Sequence, residues 1–248
     1  MVIYSIINQK GGTGKTTTAI NLGAALNRRA KDVLLIDLDA QGNLSYSLGV
    51  NEFDKSMADV LLGECKLGET LKSSEGLDLA PSDNDLADTE LSLATSGGHE
   101  RALDAILKEV TGYDYVLIDC PPSLSTLTIN ALLASDKVII PMQMEVLSLQ
   151  GLDQIMQTIQ KVSSSFSKEL VVEGVLPVMV DKRRKLSQEV KDYILENYEL
   201  RIFDSMIRSN VKASEAPSFG KSVISYKPTS NAAVDYMHFG DEILELNT

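Results

Sequence analysis

The 248-residue sequence predicts a doubly wound α/β fold, a mostly parallel sheet flanked by helices. Three observations lead there. Short apolar runs alternate with helical patterns from end to end, as βαβ units require. The first apolar run passes directly into a glycine-rich turn and then a helical pattern. Two of the runs, Val33 to Asp37 and Tyr115 to Asp119, end in aspartate, so acidic side chains should collect at one edge of the sheet.

Taken in order, Val2 to Asn8 reads as a first buried strand and Gly11 to Gly14 as a turn. Lys15 to Arg29 carries helical periodicity through Ala19, Leu22, Ala25 and Leu26. Val33 to Asp37 is a second strand. Residues 42–98 are the least regular stretch, with strand-like Leu77 to Ala80 inside it. Tyr115 to Asp119 is a strand closed by Pro121-Pro122, and Val138 to Pro141 and Val172 to Val180 are two more. A helix is expected over Leu186 to Tyr198, and a last one from near Ser230 to Leu246. No repeat, linker or break in composition divides the chain, so one domain over residues 1–248 is expected. In such a fold the ligand lies beyond the carboxyl ends of the strands.

Composition narrows the function classes. A formal net charge of −12 argues against a uniformly basic nucleic-acid binder, although a local basic patch remains compatible with it. The apolar runs are far too short to span a bilayer, and the N-terminus runs into a strand pattern rather than a secretory signal. No helix-turn-helix extension precedes that strand, so operator-specific DNA binding is not expected. The two cysteines, Cys65 and Cys120, lack metal-ligand spacing, and a reducing cytosol is the expected compartment.

The glycine-rich turn carries the chemistry. Binding a triphosphate needs backbone N–H groups curled around an anion, a cation to neutralise it and a hydroxyl for magnesium. Glycine permits the backbone angles of such a nest, and a helix N-terminus behind it adds a favourable dipole. Strand, Gly11-Gly12-Thr13-Gly14, Lys15, Thr16, Thr17 and helix follow one another in that order. ATP and Mg²⁺ are therefore the expected cofactors, with hydrolysis as the reaction. The usual pattern places glycine at position 9. This chain has Gln9 there, followed by an additional lysine, Lys10. Acids at strand ends beside such a loop, here Asp37, Asp39 and Asp119, would position metal and water.

Lys10 to Thr17 resembles the deviant Walker A loop of the ParA/MinD branch of P-loop ATPases. The resemblance implies that Lys10 reaches a partner subunit's phosphates in an ATP-bound homodimer, while Lys15 serves its own subunit. Asp37-Leu38-Asp39-Ala40-Gln41-Gly42-Asn43 resembles the family's first switch, with Ala40 where proline is usual. By resemblance Asp39 orients the attacking water, and Thr16, Asp37 and Asp119 attend the magnesium. Asp119-Cys120-Pro121-Pro122-Ser123 resembles the Walker B strand and second switch, with Cys120 read as a packed thiol.

Ser209 to Lys221 is similar to the late segment of the ParA/Soj proteins, and Thr126 to Leu132 and Gln143 to Glu145 fit the same branch. The resemblance makes Asn210 a candidate for the base pocket. Many relatives read Pro-Arg-Asn where this chain reads Arg208-Ser209-Asn210. The family binds non-specific DNA as an ATP dimer and is stimulated by a ParB-type centromere-binding protein, which implies a nucleoid-associated cytoplasmic ATPase. Lys182-Arg183-Arg184-Lys185 is the candidate basic patch, extended by Arg208, Lys212, Lys221 and Lys227. Positioning of a protein cargo is the alternative function. A MinD-like membrane helix is not expected, because Asp235 to Leu246 is acidic and holds no Lys or Arg. The cysteines do not match the cluster pattern of the related nitrogenase iron proteins.

Overall fold

The computed structural model describes residues 1–96, 99–181 and 186–247. Its sheet has seven strands in the order β3-β4-β2-β5-β1-β6-β7. They are β1 (Val2–Ile6), β2 (Val33–Asp37), β3 (Lys72–Ser74), β4 (Leu77–Ala80), β5 (Tyr115–Asp119), β6 (Lys137–Met142) and β7 (Val171–Pro177). All neighbours run parallel except the edge hairpin β3–β4. A doubly wound, mostly parallel sheet is thus what the chain adopts.

The strands are buried on both faces, which is why they read as continuous apolar runs rather than alternating ones. Successive side chains nevertheless divide between two cores. Leu34 and Ile36 of β2 and Val116 and Ile118 of β5 point into one. Val33, Leu35, Tyr115 and Leu117 point into the other. The first face is covered by α5 (Asp85–Ser96), α6 (Ala102–Leu107), α7 (Thr126–Ala134), α8 (Val146–Phe166) and α9 (Leu186–Tyr198). The second is covered by α1 (Lys15–Arg28) and α12 (Asn231–Glu245), which lie against each other. A Cβ on Gly240 of α12 would stand 2.7 Å from the Cβ of Ala25 on α1, so glycine sets how closely these helices approach.

The stretch 42–98, expected to be least regular, resolves into α2 (Asn43–Ser47), α3 (Met57–Leu62), α4 (Leu67–Thr70), the β3–β4 hairpin and α5. The first three helices have four to six residues, too short for a periodic pattern to emerge. Capping rather than periodicity marks α3: Ser56 accepts from the Ala58 N–H at 3.2 Å, and Asp59 accepts from the Ser56 N–H at 2.7 Å. Later, α10 (Val211–Glu215) and α11 (Val223–Tyr226) flank a 3₁₀ turn over Ala216–Phe219. Expected and observed boundaries differ little. β1 ends two residues early because Asn8 turns out of the strand, and β7 ends at Pro177, which lacks an N–H for a ladder. Among the described residues no helix is long and apolar enough to cross a membrane.

Candidate functional site

The site lies where β1, β5 and β2 end together. The parallel register places Ile6 opposite Asp119 and Asp119 opposite Asp37, so the three carboxyl ends form one level edge. The phosphate loop leaves β1 there. Asn8, 6% exposed, anchors it: its side-chain amide donates to the Pro141 carbonyl at 2.6 Å, and its Oδ1 accepts the Lys10 N–H at 3.0 Å. Within the loop the Thr13 hydroxyl donates to the Lys10 carbonyl at 3.0 Å.

Gly12 and Gly14 have φ of 72° and 80°, the left-handed region that favours glycine, and Gly14 opens α1. A Cβ on Gly11, Gly12 or Gly14 would meet no protein atom within 4 Å. Backbone angle, not crowding by the protein, therefore selects glycine at 12 and 14. α1 has neither an acid in its first turn nor a side-chain cap on its N-terminus. Its first N–H groups are thus free to face an anion. Lys15 is 7% exposed, whereas Lys10, five residues earlier on the same loop, is exposed.

The two strand-end acids differ in their surroundings. Both are wholly buried. Asp37 is fully engaged: Oδ1 accepts the Asp39 N–H at 3.2 Å, and Oδ2 accepts the Ser45 N–H at 3.1 Å and its hydroxyl at 3.0 Å. Burial pushes its pKa up to about 6, with Asp39's charge adding and the donors from Ser45 and Asp39 opposing. Among the described residues neither oxygen of Asp119 accepts a well-formed hydrogen bond, the Thr16 hydroxyl nearby offering only a weak one. Burial first, then the charge of Asp37, holds its pKa well above the usual carboxylate range, while Thr16 and Lys15 work against that shift. A buried carboxylate with open lone pairs is costly unless a cation satisfies it. A hydrated Mg²⁺ fits this donor set, since magnesium keeps several waters and takes few protein ligands beside a nucleotide. Among the described residues no cage of three or more His, Cys, Asp or Glu exists to hold a metal by itself.

Asp39 sits in the following turn, partly exposed, with Oδ1 accepting the Gln41 N–H at 3.0 Å. Ser82 fixes this turn from the end of β4: its hydroxyl donates to the Asp39 carbonyl at 2.8 Å, and a Cβ on Gly42 would stand 2.8 Å from its carbonyl oxygen. Cys120 is fully buried, and burial together with Asp119 pushes its thiol pKa up, so it packs as a neutral thiol.

Beside the loop opens a cavity of about 290 Å³, lined by Gly14, Thr17, Met179, Arg208, Asn210 and Tyr236 among others. Asn210 caps α10, its Oδ1 accepting the Lys212 N–H at 2.8 Å, which leaves its amide N–H₂ for another acceptor. Met179, Tyr236 and the supports Ser45 and Ser82 carry no signal in the local sequence. Their roles come from long-range packing; only the positive φ of Met179 is locally unusual, and it has no sequence signal.

The candidate DNA residues divide. Lys182, Arg183, Arg184 and Lys185 lie outside the described residues. Lys221 is exposed, and Lys212 pairs at 2.7 Å with Glu215 across a half-open surface. Such a pair contributes little and leaves the ammonium accessible. Arg208 is paired: its guanidinium forks onto Asp235 at 2.6 and 2.9 Å and lines the cavity. With its planar donors committed to a carboxylate inside the protein, it is not placed as a free phosphate contact.

A family model described as an AAA domain matches residues 1–172. The chain is 41% identical over 249 residues to the chromosome partitioning protein ParA of Caulobacter vibrioides, covering 98% of this chain and 93% of that one. It is 40% identical to the chromosome-partitioning ATPase Soj of Thermus thermophilus, covering 97% and 94%. Among solved structures, a cobyrinic acid a,c-diamide synthase from Mycobacterium smegmatis, with bound ATP analog and magnesium, superposes with a TM-score of 0.86 at 36% identity, covering 98% and 94%. A phosphate loop backed by α1, two buried acids level with it and full-length likeness to partition ATPases lead to one assignment: the chain belongs to the ParA/Soj family of chromosome-partitioning ATPases, built on an AAA-type domain.

Proposed function

We propose that this ATPase works as an ATP-bound dimer on non-specific DNA and that a ParB-type partner stimulates its hydrolysis. ATP and Mg²⁺ are its cofactors. The observation that carries the dimer reading is the opposite placement of two lysines on one loop, Lys15 buried and Lys10 exposed. Lys15 neutralises the phosphates of its own subunit, and Lys10 is free to reach those of a second copy. Mg²⁺ held beside Thr16 and Asp119 would supply compensation of phosphate charge there.

The remaining chemistry is positioning. Gly11 to Thr16 present backbone N–H groups to the phosphates, and the Thr16 hydroxyl and Asp119 would hold the cation. Asp37 was expected at the magnesium. Its hydrogen bonds to Ser45 and Asp39 support instead a role in holding the first switch, so that Asp39 faces the attacking water. The adenine occupies the cavity beside Gly14 and Thr17, with the Asn210 amide donating to a ring nitrogen.

DNA contact falls to the cations at 182–185, with Lys212 and Lys221, through phosphate contacts that carry no base readout. Dimerisation doubles the number of such contacts, so ATP favours DNA binding by ordinary linkage. Retardation of random-sequence DNA tests this. The expected result is a shift that requires ATP and weakens steeply with salt. An intact ATP-bound dimer that leaves DNA unshifted at low salt overturns DNA partition in favour of a protein-cargo ATPase.

A further inference from the structure

Two neighbouring residues at the start of α12 grip opposite walls of the nucleotide cavity. Asp235, 7% exposed, accepts three donors from Arg208: the backbone N–H at 3.0 Å, Nε at 2.9 Å and Nη2 at 2.6 Å. Tyr236, 1% exposed, places its hydroxyl 3.3 Å from that of Thr18 on α1, the helix that carries the phosphate loop. Arg208 and Tyr236 both line the cavity together with Gly14, Thr17 and Asn210.

The other ties of this segment to the sheet are backbone bonds at its edge, the Ile207 N–H donating to the Pro177 carbonyl at 2.8 Å. Arg208 forms an isolated bridge with Val180, through Val180 N–H to the Ile207 carbonyl at 3.0 Å and Ser209 N–H to the Val180 carbonyl at 3.2 Å. The phosphate loop, by contrast, is fixed by Asn8 and by its own helix. A carboxylate gripping both backbone and guanidinium of one residue fixes orientation as well as position. Consecutive residues on a helix cannot move apart.

We propose that Asp235 and Tyr236 are positioning residues that set the spacing between the Ile207–Asn210 wall and the phosphate helix, and so tune the affinity for the nucleoside half of the nucleotide. This rests on reading the cavity as the adenine site. A base inserted between walls already at the right spacing binds without the cost of ordering them. Without Asp235 the segment keeps its backbone bonds to Pro177 and Val180 but loses the grip on the Arg208 backbone N–H and guanidinium, and nucleoside binding must order that wall. The phosphate half does not touch that segment and should not respond.

The test compares two probes on one protein, Mg-ADP and inorganic tripolyphosphate with Mg²⁺, by titration calorimetry of wild type, Asp235→Asn, Tyr236→Phe and Asn210→Ala. For Asp235→Asn, Mg-ADP should weaken about tenfold while tripolyphosphate stays within about twofold. Tyr236→Phe, which removes only a hydroxyl, should move Mg-ADP in the same direction by less. Equal losses of both probes in Asp235→Asn mean general loosening of the fold and overturn the inference. Loss of Mg-ADP binding in Asn210→Ala with none in Asp235→Asn overturns the inference alone. If Asn210→Ala and Asp235→Asn both bind Mg-ADP normally, the adenine reading of the cavity falls, and the inference with it.

Discussion

Asp37 and Asp119 stand directly opposite one another at the ends of adjacent parallel strands, yet among the described residues one accepts three hydrogen bonds and the other no well-formed one. Burial raises the pKa of both, and the charge of Asp37 raises that of Asp119 further. Asp37 goes from 3.8 to about 6. The folded carboxyl thus keeps its proton to higher pH than the unfolded one. Unfolding releases that proton between those values, so the fold loses stability as pH rises through this window. In EDTA, the melting temperature should fall as pH is raised from about 5 to about 6.5, at up to about 1.4 kcal/mol per pH unit for one proton. Asp119→Asn removes a second buried carboxyl whose raised pKa adds to the same loss, so its slope should be flatter. Thermal unfolding across that range checks both, and a variant slope as steep as wild type would separate the pair.

Removing Asp39 should separate binding from turnover. Its side chain is partly exposed and, among the described residues, accepts only the Gln41 N–H, so Asp39→Ala should fold normally. ATP binding and dimerisation should persist while kcat falls by about two orders of magnitude or more, the scale expected for a lost water-positioning group. Phosphate release at the normal rate would take Asp39 out of the mechanism.

How far the sequence disclosed this site depends on how local each feature is. Gly11 to Thr17 was legible because strand, nest and helix follow one another without interruption, and the strand-end acids because runs of buried residues stop at them. Asp37 was placed at the right strand end, but its partner Ser45 belongs to a five-residue helix with no periodic signal. Arg208 looked like a surface cation since nothing local marks Asp235, 27 residues away, as its partner. β4 was legible at Leu77 to Ala80, but β3 and α2 to α4 stayed hidden because they draw their order from packing on the sheet rather than from their own pattern.

The two lysines of the loop should fail differently. Lys15→Ala removes a buried cation from beside Asp119 and should abolish nucleotide binding. Lys10→Ala removes an exposed one and should leave the affinity of the monomer for Mg-ADP unchanged while abolishing dimer-dependent hydrolysis. Sedimentation in ATP, paired with phosphate release, reads both. Normal turnover by Lys10→Ala would preserve the ATPase and remove the shared site.

The contact between α1 and α12 makes a purely steric prediction. The Cβ of Gly240→Ala would sit 2.7 Å from that of Ala25, a separation that real side chains essentially never show, so one helix must shift. Overpacking of this kind costs about 1–3 kcal/mol. Alanine gains about 1 kcal/mol of helix propensity over glycine, which offsets only part of it. Gly68→Ala on α4, where an added Cβ meets nothing within 4 Å, isolates that propensity gain and should be neutral or stabilising. Because Asp235 and Tyr236 ride on the helix that Gly240→Ala displaces, its loss of stability should come with weaker Mg-ADP binding. Shortening the opposing side chain, Ala25→Gly, should recover part of both in the double variant. Urea unfolding of the two single variants and the pair measures the coupling, and strict additivity would show that the two residues do not meet.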